Sequence, residues 1–485
     1  MKRRASAKSL PGQIAIQADQ PVIRSSLERF VLAVDRSDPG VTAYGGLPLA
    51  REAFAALGLG EACQKELVLK KRQRGPTEAQ WVEMFVMLHL AGGQGLEDVE
   101  VLKQDDGLVR LWPAIQEMSP RSALDFLLRF HDPNQKPSTQ GKAIIHPPTP
   151  ALEGLRRVNV HLLRQVQEHH PVPTATLDLD ASIHACDKKA ALRTYEGPRG
   201  YQPVIVHWAE QGLIAHDQFR DGNVPAAMGN REVLASALAN LPADIRKKYV
   251  RGDSALYDHE VLRFLDREGV EFAVSADMTR QLRTEICKLP AGDWNPLRRA
   301  DGSPGEPGRM WAEVPFVPDD PVARKGERPF RYLAIRLPPK PRQLELFEPP
   351  SATEEYVAVV TNRDLPGEEL IHWHRGKCGT VEHAHDQIKH DVGGRLMPSS
   401  VFGANAAWYR LAILALNPYR AMSLVALPED WRSERLGTIR FRLLNRAGRV
   451  IRHSRRYVLV LSQLALPLLH TYLQARQNLA GLDPS

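Results

Sequence analysis

Three acidic residues in this 485-residue chain stand where they could hold divalent cations. Asp180 closes the alternating run "TATLDLD" (174–180), and Asp253 closes "KKYVRGD" (247–253). Glu382 opens the helix-friendly stretch "VEHAHDQIKHDVGG". At about 3.6 residues per turn, Glu382, Asp386 and Lys389 fall on one stripe of that helix. Three carboxylates meeting at one point repel strongly unless Mg²⁺ or Mn²⁺ lies between them, and hard divalent ions prefer such oxygen ligands. Two such ions activate a nucleophile and stabilise the leaving oxygen in phosphodiester displacement. Lys389, seven residues after the glutamate, can meet a phosphate from the same helix face. Asp178 precedes Asp180 by two and so shares its strand face; either can be the first ligand. Singly, each acid has a bland reading, because Asp is common in turns and helical Glu–Lys pairs are mostly solvated. The ordered set carries the case.

The elements that must position these acids follow from periodicity. "TATLDLD", "QPVIVHW" (202–208) and "LIAHDQF" (213–219) read as strands. Helical "REVLASALANL" comes next, then strand 247–253, helical "DHEVLRFLDREG" and strand "VEFAVSAD". Three strands joined by short turns are expected to run antiparallel, and those separated by helices parallel. The expected fold is α/β: an RNase H-like mixed five-stranded sheet flanked by helices. In such a sheet the strands of Asp180 and Asp253 are neighbours. A Pro- and Gly-rich segment with strand-like "MWAEVPFV", "FRYLAIRL" and "EYVAVVTN" predicts a β-rich insertion over 286–362. The division is therefore a basic flexible tail (1–20), a helical N-terminal region with a linker (21–150), to which the resemblance described below assigns DNA binding, and the first part of the core (151–285). The insertion follows, then the second part of the core with the Glu382 helix (363–425) and a basic C-terminal region (426–485). Within the N-terminal region "TEAQWVEMFVMLHLAGG" reads as an amphipathic helix closed by glycine.

Composition is that of a globular protein, 43% apolar and 25% charged, with a net charge of +7. No apolar run reaches the length of a membrane span. The basic start, "MKRRASAKSLPG", lacks the apolar stretch of a secretory signal. Cys63, Cys186, Cys287 and Cys378 are scattered without a CxxC pair, which fits a reducing cytoplasm. Between Arg432 and Arg456 stand nine arginines and a single acid, Glu434. Arginine at that density favours phosphate contacts, which makes Arg440, Arg442, Arg446, Arg449, Arg452, Arg455 and Arg456 candidates. His372, His374, His383, His385 and His390 surround Glu382. A zinc site is the sharp alternative there, but His383 and His385 diverge on a helix, so a polar rim or DNA-backbone contacts are expected. Trp311 reads as a core tryptophan of the insertion, with stacking on an extruded base as the sharper alternative.

The motifs "LDLDAS", "RGDSALYDHEVLRFL", "GVEFAVSADM", "YVAVVTN", "VEHAHDQIKHDVGG" and "FGANAAWYRLAILALN", in that order, resemble a DDE-class insertion-sequence transposase of the cut-and-paste kind. The resembling subgroup carries a β-strand insertion before its glutamate. The resemblance spans about Val22 to Arg456. It implies that Asp180, Asp253 and Glu382 are the metal-binding catalytic triad, that two Mg²⁺ ions bind (Mn²⁺ substituting), and that Lys389 is the lysine of the family's tyrosine–arginine–glutamate–lysine signature. Upstream the pattern departs: the tyrosine is Arg375 here and the arginine is Cys378, so Arg375 or Lys377 takes the phosphate contact. The partners implied are double-stranded DNA with terminal inverted repeats and target DNA. A homodimer on DNA and a hairpin on the element end are also implied. The rival readings are an RNase H-like nuclease without strand transfer and a catalytically inactive, transposase-derived DNA-binding protein.

Overall fold

The computed structural model describes residues 14–16, 33–35, 40–70, 74–320, 328–338 and 355–482; the tail expected over 1–20 lies almost wholly outside them. Nine strands make the main sheet. β1 (Thr174–Ala181) buries Ala175, Leu177 and Leu179 along with Thr176 and Asp178, because helices cover both sheet faces. β2 (Val204–Trp208) and β3 (Leu213–Gln218) form a hairpin. Its turn needs Gly212, whose φ is 68° and where a Cβ would lie 2.7 Å from Arg420 Nε. β4 (Lys247–Gly252) and β5 (Glu271–Ala276) follow, and then β6 (Asn295–Pro296), β7 (Met310–Val314), β8 (Arg331–Arg336) and β9 (Tyr356–Thr361).

The strand order is β3-β2-β1-β4-β5-β9-β8-β7-β6. β2 is antiparallel to both β1 and β3, while β4 is parallel to β1 and β5 to β4, the directions expected from connection length. The mixed sheet has nine strands where five were expected, because the strands of the expected β-rich insertion join it. β9 pairs antiparallel with β5 through Ala273↔Thr361 to Ala276↔Ala358, and β8 with β9. The reason is physical: the apolar β5, with Phe272 and Val274 fully buried, would otherwise present an open edge. The insertion strands cover that edge and continue the sheet.

The helices cover it. α1 (Glu78–Ala91) starts at Thr77, whose side chain accepts from Gln80 N, and stops at Gly92 with φ 107°. It is buried on nearly every side rather than amphipathic, because α7 and its neighbours surround it. α2 (Pro150–His169) packs against α7. α3 (Asn230–Asn240) and α4 (His259–Arg267) are the crossovers flanking β4. α5 (Gly367–Arg375) and α6 (Val381–His390) follow β9. α7 (Phe402–Val425) is buried over almost its whole length. Its Arg410 forms a buried pair with Asp217 of β3 (Nη2–Oδ2 2.8 Å) and donates to the Leu152 carbonyl at 2.6 Å. Trp311 is partly buried, packing against Gly367 at the start of α5 and on the edge of a small apolar cluster.

β10 (Gly448–His453) and β11 (Arg456–Leu461) form a C-terminal hairpin, and β10 pairs with residues 41–42 through Gly448↔Thr42. The final helix, Leu469–Ala480, ties back to the N-terminal helices through Arg476–Glu52 (2.8 Å). Among the described residues no helix is long and apolar enough to cross a membrane.

Candidate active site

Register brings the first two acids together. Arg251 of β4 sits opposite Asp178 of β1, and Gly252 opposite Leu179, so Asp180 and Asp253 leave the same end of adjacent parallel strands. The Asp253 side chain caps a short turn, accepting from Ala255 N at 3.0 Å. Burial, then Asp253, and further down Glu382 push the Asp180 carboxyl up to about 6, against the opposing charge of Lys377. Four charged groups from four segments therefore act at this strand end.

Asp178 has another task. It is fully buried and held by Arg251, Nε to Oδ1 at 2.6 Å and Nη2 to Oδ2 at 2.7 Å. The Thr380 hydroxyl also donates to it. Arg251 Nη1 donates in turn to the Trp373 carbonyl at 2.8 Å. Gly376 lets the guanidinium through, since a Cβ there would lie 2.5 Å from Nη1. Thr380 is the residue before α6. One buried ion pair thus fastens the α5–α6 junction, and with it the start of the Glu382 helix, to two neighbouring strands. Both oxygens of Asp178 are thus engaged within the protein, whereas the Asp180 side chain is partly exposed at the strand end.

Two buried histidines brace the strand ends. His374 Nε2 lies 3.1 Å from the Gly252 carbonyl, just before Asp253. His385 Nε2 lies 3.3 Å from the Asp180 carbonyl. Burial lowers the first to about 4 and the second to about 3, so both are neutral N–H donors. The 3.7 Å approach of His385 Nε2 to Asp180 Oδ2 is therefore no ion pair. These two are interior braces, not the polar rim expected. Among the described residues no three His, Cys, Asp or Glu side chains stand close enough to share one ion as they lie.

Glu382 is exposed on the first turn of α6 and takes a hydrogen bond from the Cys378 thiol. Lys389 Nζ donates to Ser182 Oγ at 2.6 Å, just beyond Asp180. Lys377 is 8% exposed, and its charge acts on Asp180. Arg375 is half-buried, with Arg309 and Glu306 of the insertion within electrostatic range. Asp386 is drawn out of the stripe by Arg435 (2.6 Å) and His390 (2.7 Å).

The C-terminal arginines divide. Arg440 is not available to phosphate: it closes the carbonyl end of α1, Nε to Leu90 O at 2.8 Å and Nη2 to His89 O at 2.9 Å, and also reaches the Asp391 carbonyl. Arg442 pairs with Glu434 at 3.0 Å over the Trp431 ring, and Arg446 donates to the Arg442 carbonyl at 2.6 Å. Arg449, Arg452, Arg455 and Arg456 are exposed on the β10–β11 hairpin. Arg251, Thr380 and the two bracing histidines carried no sequence signal of their roles beyond polarity inside apolar runs.

A family model described as transposase DDE domain group 1 matches residues 30–484. The chain belongs to this transposase family. The transposase is also similar to a chain in the cryo-EM structure of the piggyBac transposase synaptic complex with hairpin DNA, at 11% identity and a TM-score of 0.40, over 93% of this chain and 88% of that one. No curated protein matches the sequence. The family generally uses divalent metal ions, and carboxylate oxygens are the donor type such ions take; burial first, and then Asp253 and Glu382, raise the Asp180 carboxyl.

That raised carboxyl, the work of burial first and of neighbouring charge second, predicts a pH dependence in the metal-free transposase. The Asp180 carboxyl binds its proton more tightly folded than unfolded, where it titrates near 3.9. Stability therefore falls as pH rises from about 4 through about 6 and then levels. Asp180→Asn cannot ionise, and is expected to remove that slope and to stabilise the EDTA-treated protein by about 2 kcal/mol at pH 8. Urea unfolding at pH 4.5 and pH 8 measures it; equal slopes in both proteins would exclude it.

Proposed function

We propose that the transposase cuts and rejoins DNA at the ends of an insertion sequence, with Asp180, Asp253 and Glu382 holding two Mg²⁺ ions beside the scissile strand. The observation that carries the reading is the carboxyl of Asp180, raised to about 6 by burial and by the charges of Asp253 and Glu382. The strand order β3-β2-β1-β4-β5, with β4 and β5 parallel to β1, supports an RNase H-like core continued by the insertion strands. When bound, the ions supply an activated nucleophile and a stabilised leaving oxygen.

The chain's own residues do the rest. Asp180 and Asp253 present oxygens from rigid strand ends, and neutral His385 and His374 fix the carbonyls beside them. Asp178 and Arg251 set the start of the Glu382 helix. Lys389, steadied by Ser182, and Lys377 offer positive charge to the phosphate backbone, and Arg375 does so from the insertion side. In the same reading the flanking DNA leaves through a hairpin on the element end. A homodimer holds two ends and joins them to target DNA.

The test is incubation of the full chain with Mg²⁺ and DNA bearing the inverted repeats that flank its gene. Double-strand breaks at the repeat ends followed by joined products are expected. Cleavage without joining would favour a nuclease, and binding without cleavage an inactive DNA-binding protein.

A further inference from the structure

The β10–β11 hairpin is rooted at one end and bare at the other. Its base is held by pairing with residues 41–42 and by Arg110 Nη1, which donates to the Val450 carbonyl at 3.2 Å. From Ile451 through Val458 every residue is exposed. Arg452 lies opposite Tyr457, and His453 opposite Arg456. The two-residue turn is Ser454–Arg455, with φ 46° and 67°. Among the described residues these two alone have positive φ without being glycine. A turn with both residues left-handed matches the twist of a hairpin but favours Asn-Gly. An arginine there is kept against backbone strain, and such strain collects at functional positions.

The tip's charge is one-sided. From Arg435 to Leu482 the chain has no Asp or Glu. Beside the guanidiniums stand exposed apolar groups, Ile451, Tyr457 and Val458 at 37%, 52% and 40%. A second copy of the ribbon would set arginine against arginine, whereas a polyanion is complementary to it. The major groove of DNA, about 12 Å wide, admits a two-stranded ribbon, with phosphates at its rims and thymine methyls on its floor.

We propose that the β10–β11 ribbon enters the major groove of the DNA that the transposase binds, with Arg452, Arg455 and Arg456 meeting phosphates and Tyr457, on the ribbon face it shares with Arg452, reaching base edges. This rests on the DNA reading above and names the element that grips the duplex away from the carboxylates.

The experiment uses the full chain without divalent metal and a duplex carrying the flanking repeat. Arg455→Gly removes the guanidinium while giving the turn the residue it favours, so a folding defect is not expected; thermal unfolding checks this. The triple variant Arg452→Gln, Arg455→Gly, Arg456→Gln is expected to reduce the slope of log K against log salt by about 2 to 3, at roughly 0.9 per phosphate contact. Arg455→Lys keeps the wild-type slope. Wild-type protein protects guanine N7 from methylation, and Tyr457→Ala loses that protection. Unchanged slope and protection in folded variants, with the wild type still binding, would overturn the ribbon contact and leave the DNA reading standing. A wild type that binds no repeat duplex would overturn both. A changed sedimentation coefficient with an unchanged slope would make the ribbon a self-association surface and overturn the proposal.

Discussion

Glu382→Gln is expected to bind repeat DNA as the wild type does and to cleave it about 1,000-fold more slowly or worse, the loss of several kcal/mol of charge stabilisation. The side chain is exposed on the first turn of α6, and its hydrogen bond comes from the exposed Cys378. The isosteric amide therefore changes stability by only about 0.5 kcal/mol or less, and the deficit is chemical. Asp386→Asn, one turn along the same helix, is the control. Its partners are the half-exposed Arg435 and His390, an arrangement typically contributing about 1 kcal/mol or less, and it should cleave within a few-fold of wild type. Single-turnover cleavage of labelled repeat ends separates the two. Glu382→Gln cleaving within tenfold of wild type would take Glu382 out of the triad.

The second large effect belongs to a residue that touches no substrate. Arg251→Met leaves the Asp178 carboxylate buried without its counter-charge and frees the Trp373 carbonyl. Breaking such a pair from one side costs about 3–5 kcal/mol. Removing both charges in Asp178→Asn with Arg251→Met is expected to restore part of that, since the stranded ion is gone. The start of α6 stays unfastened in the double variant, because Thr380 loses the carboxylate it donates to. Stability should thus recover more than cleavage does. Urea unfolding and cleavage measured on the same samples show this; parallel recovery of both would assign the pair to stability alone.

Much of the scaffold follows from local pattern. Short strand-like runs marked β1 to β5, connection lengths set their directions, and the RNase H-type order expected from them put Asp180 and Asp253 on adjacent strand ends before any coordinates. The choice between Asp178 and Asp180 could not be made. It depends on Arg251 standing opposite Asp178, a fact of register with no local signature. Helix α2 hides behind "HPPTP", although Thr149 and Pro150 form a proper helix start. Arginine density located the basic C-terminal region but could not tell Arg440, which satisfies helix-end carbonyls, from the arginines of the hairpin. Such distinctions arise only when distant segments pack. The same holds for the histidines near Glu382: their spacing argued against a shared ion, but only burial reveals two of them as braces.

The continuity of the sheet limits how the molecule could be shortened. Because β9 bonds to β5 on one side and β8 on the other, excising residues 286–350 would yield no tidy miniature. It would bare the outer row of amides and carbonyls on β9, a sticky border that recruits further chains into aggregates. A trimmed version would need charged or proline substitutions along that border to stay monodisperse.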